Sequence, residues 1–169
     1  MQRIAIVSTL FICLTASAQK KDATMQDFQG LPGKWTGSLT YTDYSDDKKQ
    51  VTLPAKVEIV DEKDSVALIS TYTEPNGKTV SDKSRICIFD DGKQLFYEGY
   101  ALDIISVRRT GDRLTITADR DGSDNKREAI VREILIIGPG IFNITQQIKY
   151  ENTEKFFVRN TMQLRKTAK

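Results

Sequence analysis

The chain has 169 residues, with 25 Lys and Arg against 23 Asp and Glu, and no histidine. That length holds one domain with no room for a second sizeable core, and the near-balance of charge excludes the one-sided basic surface that nucleic-acid binding needs. Without histidine the commonest general base, metal ligand and pH switch are missing together, which excludes classical catalytic triads and His-ligated zinc or haem sites.

Residues 1–18 read as a secretory signal peptide. Arg3 supplies a positive start, Ile4 to Leu14 an apolar stretch, and Ala16-Ser17-Ala18 a small-residue cleavage site. The apolar stretch is too short for a permanent membrane-spanning helix. Bulky Phe11 and Ile12 precede Cys13, where a lipid-anchoring cysteine would follow small residues. The expected product is a secreted or periplasmic chain cleaved near Ala18. It keeps one cysteine, Cys87, and so no internal disulfide. Cys87 lies within Ile86-Cys87-Ile88-Phe89, the setting of a buried, inert thiol.

Residues 19–30 form a polar N-terminal segment in which Met25 and Phe28 are three apart. One short helical turn is expected there, its apolar residues either plugging one end of the fold or fraying. From Lys34 onward the pattern is β. Trp35, Gly37, Leu39 and Tyr41 alternate with Thr36, Ser38, Thr40 and Thr42. After a charged turn, Val51, Leu53, Ala55, Val57 and Ile59 alternate with Thr52, Pro54, Lys56 and Glu58. Pro54 has no backbone donor and is expected at a bulge or a weakly paired point.

Further strands are expected over Ser65 to Glu74, Lys83 to Phe89, Gln94 to Tyr97, Ala101 to Arg109, Arg113 to Asp119, Arg127 to Ile137, Ile141 to Tyr150 and Lys155 to Arg165. Pro75-Asn76-Gly77, Asp90-Asp91-Gly92, Thr110-Gly111-Asp112, Asp121 to Asn125 and Gly138-Pro139-Gly140 supply the turns between them. Glu98-Gly99 reads as either a bulge or a turn. About ten strands with short connections make an antiparallel meander, and closure into an up-and-down barrel removes its exposed edges. Residues 31–169 are assigned to that barrel. Charged residues on one face of several strands, Lys56 and Glu58 among them, do not suit the apolar outer band of a membrane barrel.

The Gly33-Lys34-Trp35 step, preceded by a short turn and followed by a meander, resembles the lipocalin and fatty-acid-binding superfamily, the calycins, and in particular small bacterial lipocalin-like domains. The resemblance implies that Trp35 at the start of the first strand packs under an arginine of a late strand and closes one barrel end. Antiparallel pairing of first and last strands favours Arg165 as that partner, with Arg159 second. Their equal parity places both on the same side of the strand. Gly33, Trp35 and Arg165 are therefore the expected closure. The chain lacks the usual disulfide of secreted lipocalins and has about ten strands where they have eight.

If the apolar parity lines the interior, polar Tyr41, Ser70, Tyr72, Arg85, Ser106, Arg132, Gln146 and Asn160 fall inside with it. An amphipathic ligand needs one or two such groups, and Tyr41, Tyr72 and Arg132 are the candidates. Arg132 shares a face with Ile130, Ile134 and Ile136. The other parity of that strand, Val131, Glu133, Leu135 and Ile137, is as apolar, and if it faces inward Arg132 is merely solvated. No acid sits convincingly on the apolar parity. Asp119 to Asp124 looks at first like a calcium loop but fails the EF-hand spacing, leaving a solvated hairpin turn. The function expected is an exported barrel binding a small hydrophobic or amphipathic molecule, with no cofactor, metal or catalysis. The alternative is a filled barrel acting through its loops as an interaction or inhibitor module of the cell envelope.

Overall fold

A computed structural model of the chain describes residues 22–44 and 49–168. The signal-peptide reading of 1–18 lies outside them. Ten antiparallel strands follow one another: β1 (Gly33–Thr42), β2 (Gln50–Asp61), β3 (Val66–Thr73), β4 (Thr79–Phe89), β5 (Gln94–Tyr97), β6 (Tyr100–Thr110), β7 (Arg113–Asp124), β8 (Arg127–Gly138), β9 (Ile141–Tyr150) and β10 (Phe157–Lys166). Each pairs with its sequence neighbours, and β1 also pairs with β10, so the sheet closes on itself. This is the all-β up-and-down barrel that the alternation and short turns predict.

Closure brings β1 and β10 close together. A Cβ at Gly37 would sit 1.8 Å from the Gln163 carbonyl oxygen, so only glycine fits there. Pro54 is tolerated because β2 pairs with β3 only from Ala55 onward, leaving Pro54 with a single ladder, to Ser38. Glu98-Gly99 is a two-residue turn with both φ positive, closed by the Tyr97–Tyr100 pair.

The segment Asp119 to Asp124 is no solvated turn. β7 runs through it, and the turn falls at Asn125-Lys126, both at positive φ. Its acids are used in pairing: Asp119 takes two hydrogen bonds from Arg132, and buried Asp124 binds Arg159.

The two barrel ends differ. The base is dry. Trp35 is buried against Phe142 in an edge-to-face contact of 6.3 Å and donates its indole N–H to the Leu31 carbonyl at 2.8 Å. The N-terminal segment plugs this end, as one of the two readings of Met25 and Phe28 requires. A 3₁₀ turn, Met25–Phe28, sinks Phe28 fully, and Ala23 and Leu31 are buried beside it. Arg109 clamps the plug with hydrogen bonds of 2.9 and 3.1 Å to the two Asp27 oxygens.

The opposite end, the mouth, is uneven. On the β7–β10 side, Tyr150, Phe157 and Arg159 close over Ala129, Val131 and Ile148. On the β4–β6 side the wall is low. β5 pairs with β4 only over Ile86 to Phe89, and β6 with β7 only up to Asp119. The Thr79–Arg85 part of β4 and the Arg120–Asp124 part of β7 rise above this short hairpin.

Candidate functional site

The expected closing arginine is replaced by a lysine. Arg165 stands opposite Thr36 on the outer face and is exposed. Lys166 stands opposite Trp35, with its ammonium 5.5 Å from the indole and bonded to the Gly30 carbonyl at 2.7 Å. Equal parity failed for Arg159 and Arg165 because a bulge lies between Val158 and Asn160. The extra residue, Arg159, turns inward and is 1% exposed. It binds Asp124 and the Tyr150 hydroxyl at the mouth, far from Trp35.

Arg132 is likewise outside. Val131, Glu133, Leu135 and Ile137 are the buried parity of β8. Arg132 makes two 2.8 Å bonds to Asp119 and stacks 3.9 Å over the Phe156 ring. Its charge is satisfied on the outer wall, so it is no ligand anchor. Arg85 is also exposed, bonded to Glu62, and Ser106 is exposed past a β6 bulge. Cys87 faces out beside inward Ile86 and is half-buried, and burial pushes its thiol pKa up.

Tyr41 and Tyr72 fall on the inner parity. Tyr41 stands between Val51 and Asn160 near the rim, where burial and then Glu74 and Asp43 raise its pKa. Tyr72 packs against the core and bonds to Ser70, which is itself buried. The decisive residue is one assigned no role from the sequence. Glu133 faces the interior at mid-height and is 3% exposed. Its Oε1 accepts from Gln146 Nε2 at 2.7 Å, and Gln146 Oε1 accepts from Asn160 Nδ2 at 3.2 Å. Glu133 Oε2 is buried with no hydrogen-bond partner among the described residues.

Burial pushes the Glu133 pKa up to about 8, with the Gln146 bond opposing, Glu98 adding and Arg120 opposing. At pH 7 it is therefore mainly a neutral acid. Tyr97, buried close by, is pushed well above the usual phenol range, first by burial and then by Glu98 and Glu133. Its hydroxyl bonds to Glu98. Burial of the carboxyl raises the Glu98 pKa too, with the Tyr97 bond opposing and Asp82 adding, but as a residue it is exposed at the lip and makes the poorer interior site. A cleft of about 700 Å³ opens at the low wall, lined by Asp82 to Arg85, Phe96, Glu98 and Gly99.

Comparison with known proteins supports the fold alone. No protein-family model matches the chain, and no curated protein does. Its structure is similar to that of Rv2717c from M. tuberculosis. The two superpose with a TM-score of 0.60 over 85% of this chain and 97% of the other, at 12% identity.

The signal for Glu133 was present in the sequence, since it shares parity with Val131, Leu135 and Ile137. The outer parity, with three isoleucines, masked it. Register resolves the tie: Leu135 and Ile137 pair with inward Ile116 and Leu114 of β7, and with Ile144 and Phe142 of β9.

Proposed function

We propose that this chain is an exported lipocalin-like barrel that takes a small amphipathic molecule into its mouth half, with Glu133 as the polar contact and no catalysis. The observation that carries the reading is the buried Glu133 Oε2 left without a partner. An unmet polar atom in a protein interior is costly, and a ligand group in reach of it removes that cost. The low wall between β4 and the β5–β6 hairpin is the way in. Tyr72 and Tyr97 supply aromatic surface for the apolar part, and the base, filled by Trp35, Phe142 and Phe28, sets the depth. Export rests on the pattern of Arg3, Ile4 to Leu14 and Ala16-Ser17-Ala18. On β2 apolar side chains face inward while Lys56 and Glu58 are exposed outside, the reverse of a lipid-facing strand.

The test is titration with the neutral fluorophore N-phenyl-1-naphthylamine. Saturable enhancement at one molecule per chain, displaced by octanol, is the expected result. Absence of saturable binding overturns the carrier reading in favour of a filled barrel acting through its loops.

A further inference from the structure

Every inward-facing polar group of the mouth half bears on what the head group of such a ligand is. Glu133 presents one free oxygen. The relay behind it is oriented: Asn160 donates to Gln146, and Gln146 donates to Glu133 Oε1. A donor aimed at a carboxyl oxygen favours its ionised form. The site is thus built to hold a carboxylate once something compensates the charge. Acids recur around it. Glu98 stands at the lip, and Asp82 lines the cleft on the inner parity of β4.

The cation that faces Glu133 from β7 is Arg120, and it is engaged elsewhere. Its guanidinium lies 3.9 Å over the Tyr100 ring and donates to the Asp121 carbonyl at 3.3 Å. The Arg159 charge is matched by buried Asp124. An anionic head group would meet these acids, while the cations of the cleft, Lys83 and Arg85, are already paired with Glu62 on the outer wall. A cation would meet the free carboxyl oxygen of Glu133.

Resting on the carrier reading above, we infer that the barrel selects amphipathic molecules with a protonated amine head, seated with its nitrogen at Glu133 Oε2 and its carbon chain toward the mouth. Binding transfers no covalent bond. The ammonium keeps its proton, and Glu133, neutral before binding, releases its own to solvent. The groups that share in this titration are Glu98 and Tyr97 of the β5–β6 hairpin and Arg120 of β7, with Tyr72 of β3 acting on Tyr97 and Asp82 of β4 acting on Glu98. Glu133 is the buried one with a free oxygen.

The experiment displaces N-phenyl-1-naphthylamine with octylamine, octanol and octanoate at pH 7, using the wild-type chain and Glu133→Gln. Octylamine is expected to bind the wild type at least about tenfold more tightly than octanol, as a charge-assisted bond would. The gap should close in Glu133→Gln, with octylamine affinity falling at least about tenfold toward that of octanol. Calorimetry in two buffers of different ionisation heat should show release of roughly nine-tenths of a proton per octylamine, the protonated fraction at pH 7 of an acid with a pKa of about 8. Equal binding of the three probes, or a preference that survives in Glu133→Gln, overturns the amine inference and leaves the carrier standing. If the fluorophore itself fails to bind, both fall together.

Discussion

Trp35 and its neighbours on β10 make the sharpest contrast between adjacent side chains. Trp35→Ala removes a buried indole, its bond to Leu31 and its contact with Phe142, and should cost about 3–5 kcal/mol. Lys166→Ala loses an exposed amine over the ring and its bond to the Gly30 carbonyl, and should cost about 0.5–1 kcal/mol. Arg165→Ala, on the outer face, should stay within about 0.5 kcal/mol. Urea unfolding followed by far-UV circular dichroism checks all three, since the chain's one tryptophan is the residue removed. A large loss for Arg165→Ala would mean that the end of β10 is misassigned. The closing position itself was legible in the Gly33-Lys34-Trp35 step. The identity of its cation was not, because one register step separates an outward side chain from an inward one.

At the scale of single elements, the plug and the β7–β8 hairpin carry opposite expectations. Phe28→Ala empties a fully buried ring site beneath the barrel and should cost about 3–5 kcal/mol. It should also make Arg109 and Asp27 amide signals more exchangeable by loosening the whole turn. If stability is unchanged, the 3₁₀ turn is not a plug. The Asn125-Lys126 turn holds a lysine at φ 62° where glycine is favoured. Lys126→Gly should gain about 0.5 kcal/mol, relief of that conformation outweighing the extra freedom of the unfolded chain. A drop in the urea midpoint would contradict it. Strand existence was readable from period-two alternation nearly throughout. The missed lengths, as in β4 and β7, come from charged stretches that have no apolar rhythm but continue a ladder because a neighbouring strand is there to receive them.

Considered whole, the molecule buries an acid that its ordinary pKa would ionise. Below the unfolded value of 4.5, Glu133 is protonated in both states and costs nothing for ionisation. As pH rises from 4.5 to about 8, the unfolded chain gives up a proton that the folded chain keeps. Stability therefore falls across that window by about 1.4 kcal/mol per pH unit, on the order of 5 kcal/mol in all. Above the folded value this group adds no further change. Glu62, whose pKa its bonds to Lys83 and Arg85 lower, acts on the acid side instead, its contribution disappearing as pH falls below 4.5. Thermal unfolding at pH 5 and pH 8 should show a clear drop for the wild type and a much smaller one for Glu133→Gln. Matching slopes for the two proteins would remove Glu133 from the buried interior.

The local alternation of apolar and polar residues, with turn residues between successive runs, was enough by itself to specify strands, their order and closure of the sheet. Strands and turns depend on neighbours along the chain, which the sequence contains directly; closure follows because a meander of this many strands leaves edges that β1 and β10 remove by pairing. It also placed Tyr41 and Tyr72 on the inner parity. Which side of β8 faces inward, that Arg159 turns in at a bulge while Arg165 stays out, and that Glu133 is left with a free oxygen were decided only by tertiary structure. Each depends on register with a distant strand, where a shift of one residue exchanges the two faces and so turns a solvated charge into a buried one.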